Sequence, residues 1–473
     1  MGKKKVTVTA AAFDNKYLTS LMDFTEKISP AKTKNEQAIR AADKKLIAEG
    51  NLGEPINKPS ANIGGILDRN RILAATTLFG NRPEVTENDI KLIADAGFDF
   101  IICENRGDYA KRILDWCLKY NVAVIGEEIR EYISEKKIDV DSAAETDDLF
   151  AGFVPHPASV GDCCYDEPHL SDFGKVEKLT SLYKQVCQGR FVFSNLLPAC
   201  AVKAAWGTDT YKEYVDRFSA EVYSDYLSVD IYPFHPSKIM NIYEMMKCLE
   251  TYHHVSEACR RDGKDFWLYI QTQMRWFSHL YTYTTFEMIK WQYYAAIAYG
   301  CRSIINASYN PVWGEDAIGI IDYDGNLTEQ YLYVKRMNAE IAKLSPVIKD
   351  FRSLGVRIFK GRKNNPHFAL AVPKQNKNNK IIGFNGIPKV RSIESESTVI
   401  AGYFKNAKEK NAVMLVNCRD IYDPYASQKI TVKLYNKSAV GIYEHGELTR
   451  KEESYEITVN AGSCDGIFIV FDE

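Results

Sequence analysis

Three consecutive residues, Asp166-Glu167-Pro168, are the sharpest chemical feature of the chain. Two adjacent carboxyls ahead of a proline put an acid on a turn that the pyrrolidine ring stiffens. A carboxyl in a partly apolar surrounding, beside a second carboxylate, has its pKa raised by desolvation and by like charge. Glu167 in such a place holds a proton that it can donate to a leaving oxygen. The plainer reading is an acid cluster at a helix N-terminus, settled by the helix dipole. The element that ends at Asp166 decides between the two.

From residue 70 short apolar runs alternate with amphipathic helices. Strands are expected at 71–78, 98–103, 122–125, 160–165, 191–194, 225–231, 265–270 and 302–306. Thr86 opens the first intervening helix with Asp89 three residues on, and Gly97 closes it. Asp108 caps the next, and others are expected near 170–187, 211–223, 238–261 and 328–344. Thr284 and Glu287 read as the capping box of a helix that stops at Gly300. Eight strand–helix pairs in series are what a (β/α)8 TIM barrel requires. Their strands are unbroken apolar runs because both faces are covered. An open doubly wound sheet would follow its first strand with a Gly-rich phosphate turn, and FGNRPEVTEND has no such pattern.

After about residue 350 helical periodicity is lost. FALAVP, AVMLVN, KITVKLY, AVGIYEHGEL, YEITVN and GIFIVF read as strands of an all-β sandwich. Ahead of the barrel, NEQAIRAADKKLIAEG reads as a helix ending at Gly50 in a Lys-rich segment. The expected division is 1–65, an N-terminal segment packing on the barrel; 66–348, the catalytic barrel; and 349–473, the β-sandwich.

A barrel carries its chemistry at the C-terminal ends of its strands. The polar residues there are Glu104, Asn105, Glu127, Glu128, Asp166, Glu167, Asn195, Asp230, Tyr232, His235, Gln271, Gln273, Asn306, Tyr309 and Trp313. Carboxylates and amides bind hydroxyls and aromatic rings stack on sugar faces, so the set suits a neutral polyhydroxylated ligand. Glu167 is the expected acid, with Asp230 and Asp166 assisting. Glu104, Asn195, Tyr232, His235, Gln271, Asn306, Tyr309 and Trp313 are the expected binding residues. Each has a bland alternative: Asp230 as a structural acid, His235 as a surface residue, Trp313 as lid packing. The rim lacks a Lys for a Schiff base and a His cluster with metal-ligand spacing, so neither cofactor nor metal is expected. Trp276 and Tyr281 fall in a long connection after the seventh strand, a usual place for binding elements.

GDCCYDEPHLSDF resembles the fourth-strand motif of β-galactosidase-like barrel glycoside hydrolases, in which an Asn-Glu-Pro or Asp-Glu-Pro supplies the acid/base Glu. DYLSVDIYPF and FWLYIQTQ resemble their sixth and seventh strands, and AIGIIDYDGNLTEQYLYVKRMNAEI their exit from the barrel. AVMLVN and SCDGIFIVF look like the trailing β-sandwich. The resemblance spans roughly residues 70–473 and implies a glycoside hydrolase with Glu167 as general acid/base. It departs at strand seven, where the family places a nucleophilic Glu and this chain has the neutral Gln271. Three repairs are open. Asp230 could serve as nucleophile or base, Asp166 could orient an acetamido group of the substrate, or the barrel could bind sugar without cleaving it. A more distant reading is a lyase or isomerase with a divalent metal on Glu104, Asp166 and Asp230.

Composition narrows the rest. A net charge of -2 points to no nucleic acid or anionic membrane surface. Eleven Cys, an odd number without a CxxC pair, suit buried hydrophobes in a reducing compartment. No apolar run reaches the ~18 residues of a membrane span. MGKKKVTVTAAAF lacks the apolar stretch of a signal peptide, so the chain reads as cytoplasmic, or as exported if a signal was trimmed.

Overall fold

The computed structural model describes residues 30–78, 84–103, 107–127, 129, 156–235, 238–277, 280–311, 318–363, 386 and 389–472. Eight parallel strands close into a barrel: β3 (Leu73–Leu78), β4 (Phe100–Cys103), β5 (Ala123–Gly126), β6 (Ser159–Asp166), β7 (Phe191–Leu196), β8 (Tyr226–Asp230), β9 (Asp265–Gln271) and β12 (Cys301–Ala307). A two-residue hairpin pair, β1 (Asn62–Ile63) and β2 (Ile66–Leu67), precedes them. A second hairpin, β10 (Arg275–Phe277) and β11 (Leu280–Thr282), lies in the connection after β9. That hairpin was not expected; Trp276 pairs with Tyr281 across it.

The helices are α1 (Pro30–Ala48), α2 (Glu87–Asp95), α3 (Gly107–Lys119), α4 (Phe173–Val186), α5 (Lys203–Trp206), α6 (Tyr211–Glu221), α7 (Lys238–Asp262), α8 (Phe286–Ala298) and α9 (Glu329–Ile348). Thr86 caps α2 in a reciprocal box with Asp89, as its sequence implies. For α8 the cap falls one residue later than expected. Thr285 accepts from the Met288 N–H, while the Thr284 hydroxyl donates to the Gln273 carbonyl. α1 lies along α9, joined by Arg40–Glu329 and Arg336–Asp43 ion pairs, each at 2.7 Å.

Strand alternation sorts the barrel's side chains. Ala75, Phe100, Ile102, Ile125, Phe193, Tyr226, Trp267, Tyr269 and Ile305 fill the interior, and Trp267 stacks on Phe191 with centroids 4.6 Å apart. The outward residues join a larger cluster with the helices. All eleven cysteines are free, and all but Cys200 are buried. Cys163 faces the interior and Cys164 the surrounding layer, as neighbours on a strand should.

After α9 the chain forms an antiparallel sheet in the order β13 (Phe351–Phe359), β15 (Val399–Asn406), β16 (Asn411–Asn417), β19 (Gly466–Phe471), β17 (Gln428–Glu444), β14 (Val390–Ser395), with β18 (Glu447–Ala461) on β17. β17 breaks register between Lys433 and Ser438, so its first half pairs with β14 and its second with β19. KITVKLY and AVGIYE are thus one strand, and the turn falls at His445-Gly446, where both residues take positive φ. FALAVP lies outside the described residues. The sheet encloses its own core of Val399, Tyr403, Leu415, Val432, Ile457 and Ile469. Its opposite face, with Ile400, Met414 and Phe468, joins the core of the barrel's helices. Contact with α8 is close: a Cβ on Gly402 would meet the Ala298 carbonyl oxygen at 2.0 Å.

Candidate functional site

The rim above β6, β7 and β8 is built from a bulge and a left-handed turn. Cys163 pairs with Phe193 and Tyr165 with Ser194, so Cys164 is an extra residue in β6. Asp166 then ends the strand opposite Asn195. Glu167 follows with φ 51°, a conformation that costs a non-glycine residue on the order of 1–3 kcal/mol. Its N–H donates to the Asn195 carbonyl at 2.9 Å, which extends the pairing through the turn. The next carbonyl, of Pro168, accepts the Tyr214 hydroxyl at 2.7 Å, and that hydroxyl accepts the Leu197 N–H at 3.3 Å. Tyr214 of α6 therefore ties the end of β6 to the end of β7.

Asn195 is the hub. By alternation with Phe193 its side chain points inward, as do Ser228 and Asp230 on β8. Its Nδ2 donates to Asp230 Oδ1 at 3.0 Å and approaches Asp166 Oδ1 at 3.5 Å. Its Oδ1 accepts the Ser228 hydroxyl at 2.9 Å, which fixes the amide with its N–H groups toward the acids. Asp166 and Glu167 are open to solvent and Asp230 is half-buried.

Although the residue reaches solvent, partial desolvation by the surrounding rim, then the Asp166 charge, raises the Glu167 carboxyl above its usual range. Burial, then the charges of Glu167 and Asp166, raises Asp230 well above its own, against the Asn195 hydrogen bond, which favours the ionised form. Neither Glu167 nor Asp230 forms a salt bridge with a described residue. Glu167 and Asp230 are thus raised together, and this pair holds protons into a higher pH range. Tyr269 lies beneath them, its hydroxyl raised by burial and by the nearby Cys163, Asp166, Glu127 and Tyr232. Tyr232 is half-buried against the barrel's interior cluster, and Glu127, ending β5, is buried.

The structure thus gathers Asp166, Glu167, Asn195, Asp230 and Tyr232. It does not bring the other described candidates to the opening. Gln271 is fully buried. Its Oε1 accepts the Phe234 N–H at 2.8 Å and its Nε2 donates to the Phe234 carbonyl at 3.0 Å, so both polar atoms are engaged by the scaffold and burial closes them off from a ligand. Asn306 faces outward from β12, donating to the Ala75 carbonyl at 3.1 Å and bonded to the Tyr293 hydroxyl at 2.8 Å. Tyr309 is buried with its hydroxyl on Asp89 Oδ1 at 2.8 Å. His235 is buried rather than lining an open cleft, and its N–H donates to Asn241 Oδ1. Glu104, Asn105, Glu128 and Trp313 lie outside the described residues. Sequence reading missed Ser228 and Tyr214. Ser228 was within reach, since it stands two residues before Asp230 on one strand and so shares its face.

No family model matches the chain, and no curated protein does. Solved structures do. The chain is similar to a catalytic mutant of a family 42 β-galactosidase from G. stearothermophilus, with TM-score 0.55 and 8% identity over 85% of this chain and 98% of that one. It is also similar to a β-galactosidase from Bacillus circulans sp. alkalophilus, with TM-score 0.49 and 9% identity over 85% and 99% of the two chains. A glucosidase from Croceicoccus marinus gives 0.43 and 10% over 89% and 97%. The first of these likenesses bears on the fold alone, a (β/α)8 barrel with a trailing β region.

Proposed function

We propose that the protein hydrolyses a glycosidic bond in an oligo- or polysaccharide, with Glu167 as proton donor. The observation that carries this reading is the placement of Asp166 and Asp230 on the Asn195 side-chain amide at the C-terminal rim, with Glu167 near enough for its charge to act on Asp230 and its own carboxyl held above its usual range. Protonated Glu167 gives its proton to the glycosidic oxygen as the C–O bond breaks and positive charge grows on the sugar ring. Asp230 acts once ionised, the form that the Asn195 hydrogen bond favours against burial and the neighbouring charges, and then either attacks the anomeric carbon or takes a proton from an attacking water. Burial and then the Asp166 charge favour the protonated form of Glu167. Tyr232 offers the ring and hydroxyl for a sugar face. The fold of the family 42 β-galactosidase adds to this reading as an analogy of scaffold.

The test is turnover of a panel of aryl glycosides by the wild-type chain and by Glu167→Gln. Hydrolysis by the first and its loss in a folded second is the expected result; an unchanged rate in the variant removes Glu167 from the chemistry. One observation favours a second reading, a carbohydrate-binding barrel without catalysis. The end of β9 carries a neutral side chain already committed to Phe234, so that strand supplies no carboxylate. Saturable sugar binding with no turnover across the panel would establish it.

A further inference from the structure

We propose that the outer wall of the barrel carries a divalent transition-metal site, suited to zinc, formed by His253, His254 and Glu257 on α7. One ligand atom from each of these residues lies within 4.8 Å of the others. His253 and Glu257 stand one helical turn apart, with His253 Nε2 3.8 Å from Glu257 Oε2. The two imidazoles meet edge to face, centroids 5.1 Å apart. Two imidazole nitrogens and a carboxylate oxygen are a usual donor set for zinc, with a fourth position left to water.

A second observation separates this cluster from a chance gathering on a helix surface. His254 Nδ1 and Glu257 Oε2 are both closed off from solvent, and neither has a hydrogen-bond partner. Buried acceptors without partners are uncommon in folded proteins and point to an ion or water that satisfies them. Neighbouring charges pull both ways. Glu250 and Asp216 favour a cation, Lys212 and Arg260 oppose it, and Lys212 is itself tied to Asp216 at 2.5 Å. Bonds of about 2.0–2.1 Å at a tetrahedral centre need donors about 3.4 Å apart, so small side-chain rotations close the set. α7 leaves the C-terminal rim after β8 and runs back toward the start of β9. The cluster lies in its second half, away from Glu167. Tyr211 of α6 packs against His254, ring to ring at 6.2 Å, so a bound ion would brace α7 where it meets α6.

The experiment is a titration of the chelator-treated full chain with cobalt(II), read by visible absorption, followed by displacement with zinc and by thermal melting. One equivalent is expected, with a tetrahedral-type cobalt spectrum that zinc abolishes and a melting point raised by zinc. His253→Asn, His254→Asn and Glu257→Gln should each weaken zinc binding about tenfold or more. Should a variant not fold, carbethoxylation of the wild-type histidines, mapped by mass spectrometry, serves instead: zinc should protect His253 and His254. Binding that survives the His253→Asn/His254→Asn pair, zinc that leaves both histidines as reactive as before, or no saturable binding below millimolar zinc would each overturn the proposal.

Discussion

Two arcs of the same barrel rim carry polar side chains and use them differently. Above β6, β7 and β8 the polar groups bond to one another, Ser228 to Asn195 and Asn195 to Asp230 and Asp166, and the carboxyls keep a face toward solvent. Above β9 and β12 the bonds run to the scaffold instead. Gln271 closes on the Phe234 peptide, Asn306 on the Ala75 carbonyl and the Tyr293 hydroxyl, and Tyr309 on Asp89. A polar residue at a strand end is therefore a site only where its bonding capacity is left over. A buried amide must be satisfied by something, and on the second arc the backbone does it.

The widest separation between the arcs should appear in catalysis. Replacing Glu167 with Gln should lower turnover of an aryl glycoside by about 10²–10⁴-fold, and Asp230→Asn should act in the same direction. Gln271→Ala should leave turnover within a few-fold of wild type; a loss as deep as that of Glu167→Gln would erase the distinction. Stability should show the reverse pattern. Gln271→Ala strands the buried N–H and carbonyl of Phe234 and should cost about 1–3 kcal/mol in denaturant unfolding. A neutral result there would mean that the Phe234 peptide finds another partner.

Smaller effects sharpen the electrostatic half of the contrast. Because Asp166 raises the Glu167 pKa, Asp166→Asn should move the basic limb of the pH–rate profile to lower pH. A limb that stays in place would assign it to another group. For stability the sign runs the other way from a salt-bridged acid. The folded pKa of Glu167 lies above its unfolded value, so its stabilising contribution is present at acid pH and is lost as pH rises through the folded pKa. Glu167→Gln should therefore be no less stable than wild type at neutral pH, and its advantage should vanish toward acid pH, as measured by melting across a pH series.

Most of the barrel could be read from the chain, since its strands are apolar runs bounded by capped helices. The phase of each strand could not. When both faces are buried, alternation leaves no polar mark to say which residue points in. Asn306 looked equivalent to Asn195 for that reason, yet Ile305 and Ala307 hold the inner positions of β12. The bulge at Cys164 was equally invisible, because an extra residue in an apolar run changes nothing in composition. Of the site, Glu167, Asp166 and Asp230 were legible as acids after strands. The left-handed turn and the Tyr214 tie were not, since both depend on partners far along the chain. In the trailing sheet, Asn436-Lys437-Ser438 read as a turn where the structure has an irregularity within β17.

The packing of α8 connects distant parts of the molecule. On one side Lys290 pairs with Asp465 at 2.6 Å and Trp291 Nε1 donates to Cys418 Sγ at 3.3 Å, both in the trailing sheet. On the other, Gln292 bonds to both peptide groups of Gln271, each at 2.8 Å, and Gln271 holds Phe234, four residues past Asp230. The sheet is thus a buttress, reaching through one helix and two glutamines to the loop that frames the acids. Cutting it away would loosen the frame around the acids before it melted the barrel.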